Sequence, residues 1–425
     1  GAVEYKAMCL DKILTDYTNN AELAEGTIYE LEGGKAYYFA TNPTLCKGFT
    51  MRTRAEDLAK GLRAKIYLGG MSLNPDGSAA SCNFMFGRPP QAGESDAPIN
   101  VKSLVFEGID FDCPLATNFG DGKATGNYFA NMYSNGMAVT FSSFEVRNCT
   151  FQRMIRGFIR VQGSKRKIFE NMLIENCLFY NCGYYDNNGR GYAWFAGDGK
   201  DPKSNIYKNL VVRNNTFYDS PRTCMFTDNG KNLKWPSSVQ YNITLENNTF
   251  VNFSTRSKGR KIFDLRYLPS GSKIVVRKNL FIQTAQEGDD RNLYFEGMDI
   301  RQINGDSKEV TFDIEDNYSS SSDGAKQVDD KIFTSAAFSA KKNSAGAFLK
   351  YTPGVIRGAD ALVVKVGEKP ISPTELMKNP NPPHKNGDKD VHEIDNLDGL
   401  YFNNTEQVHN HEIYTKGIGD PRWRQ

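Results

Sequence analysis

Asn214-Asn215-Thr216-Phe217 and Asn247-Asn248-Thr249-Phe250 are two copies of one phrase, and that phrase decides the fold. It stands also at Asn148-Cys149-Thr150-Phe151 and Asn176-Cys177-Leu178-Phe179, and more weakly at Lys278-Asn279-Leu280-Phe281. Each copy follows an apolar or β-branched run, such as Leu210-Val211-Val212 or Ile243-Thr244-Leu245. Successive Phe residues are 28, 38, 33 and 31 positions apart, within the period range of solenoids and repeat arrays. Degenerate copies flank the series at Phe106-Glu107-Gly108-Ile109-Asp110-Phe111 and at Phe312-Asp313-Ile314-Glu315-Asp316-Asn317-Tyr318.

Strand, Asn turn and strand in every repeat, with no helical spacing between them, predict an all-β chain coiled as a parallel β-solenoid. An Asn at a fixed corner suits that geometry. It tolerates left-handed backbone, and its amide can bond the identical amide one coil away, roughly 4.8 Å along the stack. The Phe that follows is expected to stack in a ladder inside the coils. Both residues are therefore read as structural.

The chain has 425 residues, more than one globular core usually spans, but a solenoid lengthens by adding coils. Hydrophobic content is 39 %, and Gly, Phe and Tyr are abundant where a helix bundle would be rich in Ala and aliphatic residues. A net charge of +2 gives no nucleic-acid footprint. No apolar run is long enough for a transmembrane helix. The eight cysteines include no Cys-x-x-Cys pair and no His partner, against a metal ribbon. Cys149 and Cys177 share a repeat position, so they should lie on neighbouring coils as buried thiols or as a disulfide.

Residues 1–25 read as an N-terminal cap, 26–322 as the coils, and 323–425 as a C-terminal segment packed on or extending them. Within the cap, Met8, Leu10, Ile13, Leu14 and Tyr17 have helical spacing, as a short helix covering the solenoid end requires. Residues 114–137 and 183–204 read as long inserts, and Lys369–Asp388 as an irregular, Pro-rich segment laid over the surface. All four His (384, 392, 409 and 411) fall in or after that segment, so the coils offer none. An export signal or lipid anchor is expected to precede Ala2 in the precursor.

The opening strand Gly26-Thr27-Ile28-Tyr29-Glu30-Leu31 and the coils ending in Asn-x-(Thr/Leu)-Phe resemble the right-handed parallel β-helix of the pectate-lyase-like superfamily. With the terminal Gly417-Ile418-Gly419-Asp420-Pro421-Arg422-Trp423, the chain is similar to secreted or lipid-anchored β-helix proteins of bacterial glycan-utilisation systems. The resemblance implies three strands per coil, with the Asn turn between the second and third, and a substrate groove on the sheet that follows the next turn. It implies a monomer outside the cytoplasm acting on a polysaccharide.

On that sheet the resemblance places Gly157–Val161, Tyr192–Ala196, Thr223–Thr227, Lys261–Arg266 and Leu293–Glu296. Alternation then predicts an outward row of Phe158/Arg160, Tyr192/Trp194, Met225, Asp264/Arg266 and Glu296. Arg156 and Arg222 flank the strands, and Trp235 lies in the adjoining loop. Arg and aromatic side chains on one face suit an acidic glycan, since guanidinium pairs carboxylates bidentately. The other reading of the same residues is a solvated face with ordinary packing aromatics.

Uronate β-elimination needs a cation against the carboxylate and a base for the C5 proton. Arg160 or Arg266 fits the first role, and Lys261, Tyr192, Lys200 or Tyr267 the second. Hydrolysis would need paired carboxylates, for which Asp264 with Glu296 or with Asp228 are the candidates. Asp186-Asn187-Asn188-Gly189 and Asp198-Gly199-Lys200-Asp201 offer oxygen ligands for calcium, although turn chemistry accounts for both, and no cofactor is expected. The catalytic phrases of β-helix polygalacturonases, pectin methylesterases and chondroitinase-B-like lyases are missing. Three readings follow: a polysaccharide-degrading enzyme, lyase ahead of hydrolase; a non-catalytic glycan-binding protein; and a structural β-helix.

Overall fold

In the computed structural model the described residues are 10–39, 41–68, 83–113, 128–133, 136–154, 157–161, 165–180, 182, 194–197, 205–220, 225–228, 240–253, 263–269, 271–282, 298–304, 311–319, 364–366, 369–380 and 397–424. Each coil contributes one strand to each of three sheets. A long strand such as Lys167–Glu175 leads through the Asn corner to a short one, Leu178–Tyr180, and then past a second corner to a third, Phe195–Gly197. Among the described residues the three sheets hold nine, nine and eight strands, stacked in chain order and parallel throughout.

The Asn corner divides between two adjacent positions the tasks that the sequence assigns to one. The first position takes left-handed backbone, with φ of 52° at Asn148, 56° at Asn176 and Asn214, and 53° at Asn247. The second is buried and forms the ladder. Asn215 Nδ2 donates to Asn248 Oδ1 at 3.0 Å, Asn248 Nδ2 to Asn279 Oδ1 at 3.0 Å, and Asn279 Nδ2 to Asn317 Oδ1 at 2.9 Å. Each of these carbonyl oxygens also accepts a backbone N–H, and each Nδ2 also donates to a backbone carbonyl, so the row is saturated. A saturated polar row is tolerable in a core where a half-satisfied one is not. Cys149 and Cys177 hold the same position in earlier coils as free, buried thiols.

Phe151, Phe179, Phe217, Phe250 and Phe281 stack as expected, with centroids 4.7–4.9 Å apart and planes within 10°, and Phe111 extends the row at 5.0 Å. Parallel strands repeat at about this distance, so the aromatic spacing is set by the backbone.

One row on the outside of the first sheet was not read from the sequence. Glu30, Arg52, Glu107, Arg147, Glu175, Arg213, Glu246, Arg277 and Glu315 are register partners from one end to the other, acid and base in strict alternation. Several rungs are in contact, including Arg213 with Glu175 at 2.6 Å and Arg52 with Glu30 at 2.6 Å. These pairs are part-exposed, so each contributes at most about 1 kcal/mol. Their larger effect is on pairing, because skipping a coil would set like charges side by side.

The N-terminal helix Leu10–Asn19 buries Leu10, Leu14 and Tyr17 against the first coil, and Tyr17 Oη donates to Gly48 O at 2.9 Å. Two expectations need correction. The stretch 114–137 is not wholly an insert, since Tyr128–Met132 is a buried strand of the third sheet. Lys369–Asp388 is not irregular throughout: Lys369–Ile371 pairs antiparallel with Val364–Val366, and Pro373–Leu376 is helical with a capping box from Ser372. Serine and proline there initiate structure rather than interrupt it.

Residues 397–424 lie on the outer face of the second sheet. Leu400, Phe402, Ile418 and Trp423 form a second core with Tyr218, Val251, Leu280 and Ile282 of that sheet. The terminal phrase locks the contact: Gly419 N donates to Lys278 O at 2.7 Å, Trp423 Nε1 to Thr216 Oγ1 at 2.7 Å, and Thr216 Oγ1 to Asp420 Oδ2 at 2.7 Å. Gly419 has φ +78°, and a Cβ there would meet Thr249 Oγ1 at 2.7 Å, which accounts for glycine at this point. Burial raises the Asp420 carboxyl above its usual range, against the nearby Arg422 guanidinium.

Candidate functional site

The third sheet carries a register row in which Asn131, Arg160, Ala196, Thr227, Asp264 and Asp299 succeed one another. Its alternate row begins with Ile159 and continues through Phe195, Phe226 and Phe263. Ile159 and Phe195 are buried, so the core claims that parity. Arg160, on the other parity, is part-exposed and sets its guanidinium 5.7 Å from the centre of the Tyr128 ring. Asn131 beside it is nearly buried, and its Oδ1 accepts from Met132 N at 2.9 Å.

Further along, Asp264 is the partner of Asp299, Leu265 of Ile300, and Tyr267 of Gln302. Arg266 and Arg301 stand between the last two pairs at the same level of the same two strands. The chain thus writes Asp-Leu-Arg at 264–266 and Asp-Ile-Arg at 299–301, on consecutive coils and in register. Neighbouring strands lie about 4.8 Å apart and alternate residues about 7 Å along a strand, so two acid and two guanidinium positions occupy a patch of those dimensions. Three strand spacings, about 14 Å, separate Arg160 from Asp264, with the small residues Ala196 and Thr227 between.

Asp264, Arg266 and Arg160 are therefore on the sheet and the parity that the sequence predicts. Trp194 is not on the surface. It is fully buried, its ring 5.1 Å from Phe179 and 5.7 Å from Phe217, and Nε1 finds no partner among the described residues. Phe158 and Met225, expected outward with it, are also buried. The cause is a break in the alternation at the entry to the strand. Phe158 N and Ile159 N both donate to Trp194 O, at 3.0 and 2.8 Å, so two successive residues of a coil face the core.

The carboxylate pairings also differ from expectation. Asp264 faces Asp299 rather than Glu296, which lies outside the described residues, and Asp228 is one position beyond Thr227, on the other parity. Lys261, Tyr192, Arg156, Arg222 and Trp235 lie outside the described residues, as do Lys200 and both candidate calcium turns. Sequence reasoning missed Asp299 and Arg301. The repeated Asp-aliphatic-Arg triplet was the signal that would have found them.

Two Asp positions in register on neighbouring coils supply the residue type that acid or base work uses. The two Arg positions at one level of the same strands are of the residue type that pairs with a ligand carboxylate. Residues 93–300 match the family described as right handed beta helix region, and no curated protein and no solved structure matches the chain. The described residues form three stacked parallel sheets with few helices, and the fold is a right-handed parallel β-helix.

Proposed function

We propose that the protein is an extracytoplasmic polysaccharide-degrading enzyme that acts by β-elimination on an acidic, uronate-containing glycan. The observation that carries this reading is the register of Asp264-Leu265-Arg266 with Asp299-Ile300-Arg301 on the third sheet. In this reading Arg266 and Arg301 bind the uronate carboxylate and stabilise the charge that develops when the C5 proton leaves. One of the Asp264 and Asp299 carboxylates takes that proton. As the C4–O bond breaks, the departing glycosidic oxygen takes a proton from the other carboxyl or from Lys261. Arg160, about 14 Å along the row, binds a second uronate of the same chain. Substrates of this size do not reach the cytoplasm, which supports the location.

Incubation of the protein with a panel of uronate-rich glycans, following both the absorbance of the unsaturated product and the reducing ends, tests the proposal. The expected result is a joint rise in both signals on at least one glycan, abolished in Asp264→Asn. A rise in reducing ends alone would make the protein a hydrolase using the same paired carboxylates. Retention of the glycan without either signal would make it a binding protein.

A further inference from the structure

The buried row at the Asn corner reads Cys149, Cys177, Asn215, Asn248, Asn279 and Asn317 along successive coils. From Asn215 onward each step is closed by an amide bond between side chains, and Asn215 Oδ1 also accepts from Cys177 N at 2.8 Å. The step from Cys149 to Cys177 has no amide to close it. Both residues stand at one level, because Arg147 is the register partner of Glu175 and Thr150 of Leu178, and Leu178 N donates to Cys149 O at 2.9 Å. Adjacent strands lie about 4.8 Å apart, inside the Cα separation of roughly 4.4–6.8 Å that a disulfide spans. The Cys177 thiol is aimed back at the coil before it, with Sγ 3.6 Å from Val146 O, and Cys149 Sγ lies 3.3 Å from Arg147 O at the end of that same strand.

Cys182 is not an equivalent partner. It lies beyond the far end of the strand Leu178–Tyr180, where its Sγ is 3.2 Å from Tyr180 O and 3.6 Å from Phe151 O. The coils of Cys149 and Cys177 are also the two that carry the break in alternation at Trp194 O. A link at their corner would therefore join the coils where the amide ladder and the third sheet are both interrupted. In the folded chain the two thiols are sealed in, 1 % and 0 % exposed. Burial, with the Cys177 thiol beside it, pushes the Cys149 thiol well above its ordinary range. Thiol–disulfide exchange needs an accessible thiolate, so the folded pair is slow to react, whereas a chain still folding presents both sulfurs.

We propose that Cys149 and Cys177 form a redox-sensitive staple, joined as an inter-coil disulfide when the chain folds in the presence of a disulfide donor and left as buried thiols when it folds in reducing surroundings. The Cys149 thiolate attacks one sulfur of the donor, whose S–S bond breaks and releases a first donor thiol. The Cys177 thiolate then attacks Cys149 Sγ in the mixed disulfide, and the second donor thiol leaves. The cysteine pair is oxidised by two electrons, the donor is reduced to two thiols, and the two cysteine protons pass to them. The new bond closes the loop from residue 149 to residue 177 and so restricts the unfolded chain. It supplies across this step the side-chain link that the amides supply across the later ones. The inference is independent of what the third sheet acts on.

The test is refolding of wild type, Cys149→Ser, Cys177→Ser and Cys182→Ser from denaturant, once with oxidised glutathione and once with dithiothreitol, followed by proteolysis without reduction and mass spectrometry of the monomeric fraction. A peptide pair linked through Cys149 and Cys177 is expected in wild type and in Cys182→Ser refolded with oxidised glutathione, and in none of the dithiothreitol samples. The Cys149→Ser and Cys177→Ser variants should lack it. Oxidised glutathione added to wild type already folded in the reduced form should give at most about a tenth of the link. The linked protein should melt at least about 3 °C above the reduced one. Wild type without the link, or with Cys149 joined to Cys182 instead, would overturn the inference. So would equal linking before and after folding, or a link that leaves the melting midpoint where it was. Because the link is read in wild type, the inference can fail or stand even if a Ser variant does not refold.

Discussion

At the scale of single residues, the repeats assign work by position. Asn148 and Asn214 bend the backbone, while Asn215 and Asn248 hold neighbouring coils together through their amides. The sequence shows that an Asn belongs at the corner, but a doubled Asn-Asn does not say which of the two is buried. Trp194 illustrates the opposite failure. Strict alternation puts it outside, and a local break in that alternation puts it inside, against Phe179 and Phe217. Trp194→Ala and Phe217→Ala are both expected to cost about 3–5 kcal/mol by opening cavities. Chemical denaturation of the two variants measures this. If Trp194→Ala instead left stability unchanged and weakened glycan binding, the buried placement would be wrong.

At the scale of elements, the C-terminal segment is where the sequence was least legible. Its short helices have little periodicity to read, and its position follows from side-chain contacts far apart in the chain, such as Trp423 with Thr216. His411 caps one of these helices, Glu412–Thr415, by accepting from Ile413 N through Nδ1 at 3.0 Å, and its Nε2 is buried without a partner among the described residues. Burial lowers its pKa to about 4, with Glu412 opposing. The folded chain therefore holds His411 neutral where the unfolded chain protonates it, so the unfolded state binds more protons between about pH 6.5 and 4 and stability falls as pH falls through that window. The loss attributable to His411 reaches up to about 3 kcal/mol at pH 4. His411→Asn keeps a capping acceptor and removes the titration. Thermal midpoints of wild type and His411→Asn, compared at pH 7 and at pH 4.5, should diverge at the acid end, with wild type losing more. Parallel curves would mean that His411 does not sense pH.

At the scale of the whole molecule, the fold was legible because a solenoid repeats its evidence. One phrase recurring at 28–38 residues fixed the parallel stacking, the corner and the aromatic ladder together. The alternating charge row is equally visible as Glu107, Arg147, Glu175, Arg213, Glu246, Arg277 and Glu315, each immediately before its corner. The candidate site was legible in part. Asp264 and Arg266 follow from counting strands, whereas their partners require the register of the next coil, which the long stretch between Ile282 and Met298 obscures. The proposed elimination requires that Asp264 and Asp299 work as one unit. It is tested most directly by a double-mutant cycle on kcat/KM for a uronate glycan, using Asp264→Asn, Asp299→Asn and the pair, each checked for an unchanged melting profile. Residues acting as a unit are strongly non-additive, so each single variant should lose at least about a hundredfold and the double variant little more than the worse single. Losses that multiply, or a single variant with wild-type activity, would show that the two carboxylates do not share a task.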